Sequence, residues 1–166
     1  MRGVDRRREL QHWIEAKLKA SPLALEPAST DASFRRYFRV RAADASLIAM
    51  DAPPAHEDCR AFVRVARLME GAGLHVPRVI AEDLERGFLL LSDLGTAGYL
   101  QALNDDTADR LFRDAIDALL RWQLASKPGV LPPYDRALLA RELALFPEWY
   151  VGRHRAVTLG AKQKQA

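Results

Sequence analysis

Phe34-Arg35-Arg36-Tyr37-Phe38-Arg39-Val40-Arg41, followed by Leu47-Ile48-Ala49-Met50 and closed by Pro53-Pro54, decides how the first half of this 166-residue chain is read. Phe34, Phe38 and Val40 fall on one parity, and Arg35, Tyr37, Arg39 and Arg41 on the other, which is the alternation of a half-buried strand. Leu47 to Met50 is a short apolar run of strand type. Ala43-Asp44-Ala45-Ser46 connects the two as a hairpin, although it carries no diagnostic turn pair. Further along, Val76 to Asp83 and Phe88 to Leu91 are strand-like, and Gly87 suits the turn between them.

Helical spacing surrounds these strands. Leu10, Trp13, Ile14 and Leu18 recur every three or four residues, and Ser21-Pro22 is expected to end that helix. Glu57 to Gly71 is a second helix, with Phe62, Val65, Ala66 and Met69 on one face and a stop at Gly71 or Gly73. Arg60, Arg64 and Arg67 share its other face, as a solvated side or as a basic stripe for phosphates. Asn104-Asp105-Asp106 offers capping oxygens to a helix whose stripe is Leu111, Phe112, Ala115, Ile116, Leu119 and Trp122. Residues 126–133 form a loop. Asp135 caps another helix, carrying Leu138, Leu139, Leu143 and Phe146 and interrupted at Pro147. Val157 to Ala166 reads as the opening turn of a helix without a body, so the chain is expected to stop early.

The expected class is α+β. A helix and an antiparallel sheet of about five strands with one inserted helix occupy residues 1–95, and an incomplete helical region occupies residues 96–166.

Composition narrows the partners. No apolar run approaches the roughly 20 residues that cross a bilayer, so no membrane span is expected. The single cysteine, Cys59, excludes an intrachain disulfide and fits a reducing compartment, giving a cytoplasmic expectation. Net charge is +3, with 20 arginines against five lysines. That charge is scattered among carboxylates, with no long basic block beyond Arg6-Arg7-Arg8, so a nucleic-acid partner is not expected.

Four segments carry a resemblance. They are Ser29-Thr30-Asp31-Ala32-Ser33-Phe34-Arg35-Arg36-Tyr37-Phe38-Arg39-Val40, Met50-Asp51-Ala52-Pro53-Pro54, Gly87-Phe88-Leu89-Leu90-Leu91-Ser92-Asp93-Leu94-Gly95 and Arg141-Glu142-Leu143-Ala144-Leu145-Phe146-Pro147-Glu148-Trp149-Tyr150. In this order and at these intervals the chain resembles the bacterial amino-sugar kinases of the aminoglycoside-phosphotransferase superfamily. The resemblance implies a kinase-like N-lobe over residues 1–95, and a hinge exit with a partial helical C-lobe over residues 96–166. It also implies ATP and Mg2+ as cofactors, and phosphorylation of the anomeric hydroxyl of N-acetylmuramate or N-acetylglucosamine in cell-wall recycling.

A strand that breaks into a connector can hold adenine, because its last backbone groups are not all used by the sheet. By resemblance, the carbonyl of Ser92 accepts from the adenine amino group and the amide of Leu94 donates to a ring nitrogen, with Asp93 between them. Read without the neighbouring motifs, the residues favour an ordinary buried strand ending in an Asp-Leu-Gly turn. Thr30, Asp31, Ala32 and Ser33 offer hydroxyls and amides to phosphates, or form a β-turn in which Asp31 bonds its own backbone. Kinase-like enzymes place a lysine on the third strand, paired with a glutamate of the inserted helix. Here that position falls on Met50. The phosphate cation is then Arg36 or Arg39, or magnesium held elsewhere, and Glu57 and Glu70 are left without their usual partner and without a role. Glu142, Phe146 and Trp149 are candidates for the sugar pocket, with packing of the helical core as the other reading.

No catalytic residue is expected within the chain. The H-x-D-x-x-x-x-N loop and the magnesium-binding Asp of such enzymes would lie beyond Ala166. His56-Glu57-Asp58 is the one H-x-D, but Val63 stands where Asn is needed, so it reads as a helix start. The chain alone is therefore expected to be inactive. The competing expectation is a non-catalytic nucleotide-binding or adaptor module of kinase-like fold.

Overall fold

A computed structural model describes residues 2–20, 23–29, 33–42, 45–160 and 163. The elements are α1 (Arg2–Leu18), β1 (Leu25–Ser29), β2 (Arg36–Ala42), β3 (Ala45–Asp51), α2 (Cys59–Gly71), β4 (Val79–Asp83), β5 (Phe88–Ser92), α3 (Tyr99–Ala102), α4 (Ala108–Ala125) and α5 (Arg136–Leu145). A π-helical stretch, Phe146–His154, continues α5. The class is α+β, with the five strands in one antiparallel sheet ordered β1-β2-β3-β5-β4.

Strand alternation sorts the side chains onto two faces. Phe38, Val40, Leu47, Ala49, Phe88 and Leu90 meet Leu10, Trp13 and Ile14 of α1. The Trp13 and Phe88 rings lie 5.9 Å apart in a tilted pair. On the opposite face Met50, Leu89 and Leu91 pack with Cys59 and Val63 of α2. β5 is covered on both sides, which is why Phe88-Leu89-Leu90-Leu91 is apolar without interruption. Pro27 sits in β1, an edge strand whose free side needs no donor.

Several boundaries differ from the expected ones. α1 ends at Leu18 and Lys19 adopts a left-handed φ of 51°, so the helix stops ahead of Ser21-Pro22, which lies outside the described residues. α2 buries Cys59, Val63 and Ala66, whereas Val65 and Met69 are only half-buried. The helix therefore leans toward the β4–β5 hairpin. Arg60, Arg64 and Arg67 are exposed. Arg60 pairs with Asp58 and Glu85, and Arg67 with Glu82, so the basic stripe carries its own counter-charges. The interruption expected at Pro147 is present: α5 ends at Leu145, and because Pro147 lacks an N–H for the i→i−4 ladder the chain continues in the π register.

The caps expected at Asn104 and Asp135 are present, and Asp58, expected only as part of a helix start, is a cap as well. Asp58 accepts from the Arg60 amide at 3.0 Å, Asp135 from the Leu138 amide at 2.8 Å, and Asn104 Oδ1 from the Asp106 and Thr107 amides at 3.0 Å. The α4 stripe is a different outcome: no residue of α4 is buried, and Phe112, Ile116 and Leu119 are each more than half exposed.

Backbone contacts group the chain into two units, Met1–Ala125 and Ser126–Ala166. Within the second, Phe146 stacks on Tyr150 with ring centroids 5.3 Å apart, and the Arg153 guanidinium lies 4.2 Å from the Trp149 ring centroid. Of the expected final helical turn, residues 157–160 are not helical and Gln163 is, while the other residues lie outside the described ones. Among the described residues no helix is long and apolar enough to cross a membrane.

Candidate functional site

The connector after β5 is tied down from three directions. The Ser92 amide donates to the Arg78 carbonyl at 3.0 Å, and the Ser92 hydroxyl accepts from the Arg78 amide at 2.9 Å. Asp93 follows. Arg39, three residues into β2, donates to its carboxylate through Nε at 2.7 Å and Nη2 at 3.1 Å, the side-on fork geometry that makes charge-assisted bonds strong. The Ser46 hydroxyl and the Gly95 amide donate to the same carboxylate, the latter at 2.9 Å. Arg39 also reaches the Gly95 carbonyl at 3.3 Å, and Gly95 takes a φ of +90° that favours glycine. One carboxylate thus joins β2, β3 and the connector. Leu94, inside this knot, is half exposed.

These bonds set the charge state of the knot. The Arg39 hydrogen bonds hold the Asp93 carboxyl far below the usual carboxylate range, and the same bonds raise Arg39. A carboxylate depressed on folding adds stability above its unfolded value near 3.9, and that stability is lost as pH falls through and below that value. Thermal melts between pH 3 and pH 7 are expected to show a steeper acid loss for the native chain than for Asp93→Asn. Parallel curves would mean that the knot contributes nothing to folding.

The other end of the sheet carries a second set of charges. β2 and β3 pair with Arg36 opposite Asp51. Asp51 is completely buried on the α1 side. Arg36 donates to one of its oxygens, and Arg6 of α1 donates to the other through Nε at 3.1 Å. Arg6 also donates to the Arg86 carbonyl at 2.8 Å and lies 5.0 Å from the Phe88 ring centroid. Arg35 has the opposite parity and faces the α2 side, where its Nε and Nη2 meet Glu57 Oε2 at 3.1 and 3.0 Å. Phe34 stacks on His56, with ring centroids 4.4 Å apart.

Of the sequence candidates, Ser92, Asp93, Leu94 and Arg39 come together at the connector. Arg36 lies at the far end of the sheet and on the other face. Ser33 accepts from the Arg35 amide at 3.2 Å, a local turn bond, while Thr30, Asp31 and Ala32 lie outside the described residues. Met50 is completely buried among Leu89, Leu91, Cys59 and Val63, so no cation occupies that strand position. Glu142 pairs with Arg141 at 3.3 Å, and Phe146 and Trp149 are exposed; all three belong to the second unit.

Sequence reading missed the partners of Asp51 and Glu57. A signal existed for the first: once Ala42 pairs with Ala45, Arg36 falls opposite Asp51 by counting alone. Glu57 had no such signal, because its partner lies on another element. The carboxylates do not fit a divalent cation. Asp51 and Asp93 are bound by arginines, and no group of three metal-ligating side chains occurs among the described residues. Burial pushes the Cys59 thiol up, in keeping with a packing role.

Residues 24–166 match the family model of the phosphotransferase enzyme family. The chain is 53% identical over 161 residues to an N-acetylmuramate/N-acetylglucosamine kinase of Pseudomonas aeruginosa, covering 91% of this chain and 48% of that protein. It is 57% identical over 141 residues to the protein of the same name from Pseudomonas putida, covering 85% and 42%. It is 37% identical over 167 residues to that of Neisseria meningitidis, covering 98% and 49%. The chain thus spans about half the length of the curated relatives it matches. With the family model matched over most of its residues, the chain belongs to the phosphotransferase enzyme family.

Proposed function

We propose that this chain is the nucleotide-binding part of an ATP-dependent kinase that phosphorylates the anomeric hydroxyl of N-acetylmuramate and N-acetylglucosamine. The observation that carries the reading is the braced connector after β5. Adenine recognition needs a strand end whose backbone groups are held still and left to a ligand. The Asp93 knot holds that backbone, so that the Ser92 carbonyl can accept from the adenine amino group and the Leu94 amide can donate to the ring.

The base itself would lie against the α2 side. The α1 side is closed by Leu10, Trp13 and Ile14, whereas Tyr37, Arg39 and Ile48 remain only partly covered on the other. A planar apolar base suits such a surface. In this reading the nucleotide-binding lobe ends at the connector near residue 95. The residues that deprotonate the sugar hydroxyl and bind Mg2+, which would supply charge neutralisation at the phosphates, belong to sequence beyond Ala166. The uncovered stripe of α4 supports this, since Phe112, Ile116 and Leu119 form an apolar face of the kind that other helices bury. The names and lengths of the relatives favour the same substrate and the same division.

The test uses the gene's reading frame followed to its own stop codon. That protein is expected to release heat on binding adenine nucleotide and to move labelled phosphate from ATP to N-acetylmuramate, while the 166-residue chain moves none. Absence of nucleotide heat, with or without divalent metal, would defeat the nucleotide reading. Binding without transfer to any amino sugar, despite an intact H-x-D-x-x-x-x-N loop, would defeat the substrate.

A further inference from the structure

We propose that Arg35, held by Glu57, is the side chain of this lobe that takes the nucleotide phosphates, and that Arg36 is not. The inference rests on the nucleotide reading above and deepens it.

Successive residues of β2 point to opposite sides of the sheet, so Tyr37 and Arg39 share the α2 side while Arg36 shares the α1 side with Phe38 and Val40, and Arg35, just ahead of β2, is brought to the α2 side by its bonds to Glu57. A ligand lying on the partly covered α2 side, with its base at the connector, meets the first set. Arg36 instead donates to the buried carboxylate of Asp51, alongside Arg6.

The connector row of the sheet is Leu47 opposite Ser92, and the far row is Asp51 opposite Phe88, with Arg36 beyond it on β2. Four residues separate the rows on β5, about 13 Å at the strand rise. That is the scale of an extended nucleoside triphosphate, so phosphates anchored by a base at Ser92 and Leu94 arrive near Arg35. Arg39 lies close to the connector and is engaged there by Asp93.

The Arg35 site is also built. Glu57 engages one edge of the Arg35 fork, Nε and Nη2, with a single oxygen. A guanidinium carries five donors, more than this partner uses. The Arg35 side chain keeps 31% of its surface exposed, against 15% for Glu57. Phe34 stacked on His56 fixes the preceding residue, so backbone and side chain of this turn are both docked ahead of α2. Met50 is buried at the strand position where kinase-like enzymes carry a lysine, whereas Arg35 presents a cation on this face near the far row.

The experiment compares adenosine with ATP in calorimetric titrations of the full gene product, metal-free and with Mg2+. Arg35→Ala is expected to weaken ATP at least tenfold, the fold-change of one charge-assisted hydrogen bond, and to leave adenosine within twofold. Glu57→Gln is expected to weaken ATP by about threefold to fivefold by loosening the fork, and Arg35→Lys to retain part of the affinity. Circular dichroism checks that each variant folds; if Arg35→Ala does not, Arg35→Lys and Glu57→Gln carry the same selective signature. ATP affinity unchanged in these variants, equal losses for ATP and adenosine, or the same selective loss in Arg36→Ala overturns the assignment. Native protein that binds ATP and adenosine but shows no such selectivity defeats only this inference. Native protein that binds neither defeats the nucleotide reading as well.

Discussion

Asp51→Ala is expected to lower the stability of the chain by about 3–5 kcal/mol, the range for breaking a buried ion pair from one side. The reason lies in what remains. Asp51 is fully buried and receives Arg6 from α1 and Arg36 from β2, so one carboxylate balances two guanidiniums that come from different elements. Its removal leaves two cations facing each other across the site it occupied. It also releases the α1 end that Arg6 fastens to the Arg86 carbonyl. With a urea m-value of about 2 kcal/mol/M, the unfolding midpoint should fall by about 2 M. Asp51→Asn keeps the shape but removes the charge, and should fall between the two. A shift below about 0.5 M for Asp51→Ala would show that the cluster is energetically neutral, as some buried ion pairs are.

Gly87→Ala is expected to be nearly as damaging through a wholly steric route. Gly87 has a φ of +71°, and a Cβ placed there would stand 1.9 Å from the Ala52 carbonyl oxygen and 3.3 Å from Pro54 Cδ. Left-handed backbone costs a non-glycine residue roughly 1–2 kcal/mol. The overlap cannot relax cheaply, because the Ala52 amide donates to the Gly87 carbonyl at 2.8 Å and holds the two segments together. Breaking that bond adds about 1 kcal/mol, and shifting the hairpin disturbs the Arg86 carbonyl that anchors Arg6. A total loss of about 3 kcal/mol or more is expected in the same urea titration. Gly73 is the internal comparison. Its φ is +74°, but nothing lies within 4 Å of a Cβ, so Gly73→Ala should cost only the backbone term of about 1 kcal/mol. Equal losses at the two glycines would remove the close approach as the cause.

Much of the architecture could be read in advance because it follows from short-range rules. The parity of Phe38 and Val40 against Tyr37 and Arg39 assigned the two faces of β2. The i, i+3, i+4 spacing of Leu10, Trp13 and Ile14 marked the side of α1 that packs. Asp58, Asn104 and Asp135 announced their helices through oxygens that accept within three residues. Less was legible where two rules compete. β1 escaped separate notice because Pro27 weakens a strand pattern that an edge position tolerates. The buried side of α2 is turned toward Cys59 and Val63 because the helix packs on the sheet beside the β4–β5 hairpin, which periodicity alone does not register.

The candidate site divides in the same way. That β5 ends in a connector at Ser92-Asp93-Leu94-Gly95 was visible in the order of residue types, since an apolar run gives way to a turn. Which charge answers which was not. Arg35, Arg36 and Arg39 are alike on paper, and each has a separate partner: Glu57 across the sheet surface, Asp51 beneath α1, Asp93 at the connector. Alternation and capping act over two to four residues and are written into the chain locally. Ion pairing over 15, 22 or 54 residues depends on strand register and helix placement, and these are settled only when the sheet closes between its two helices.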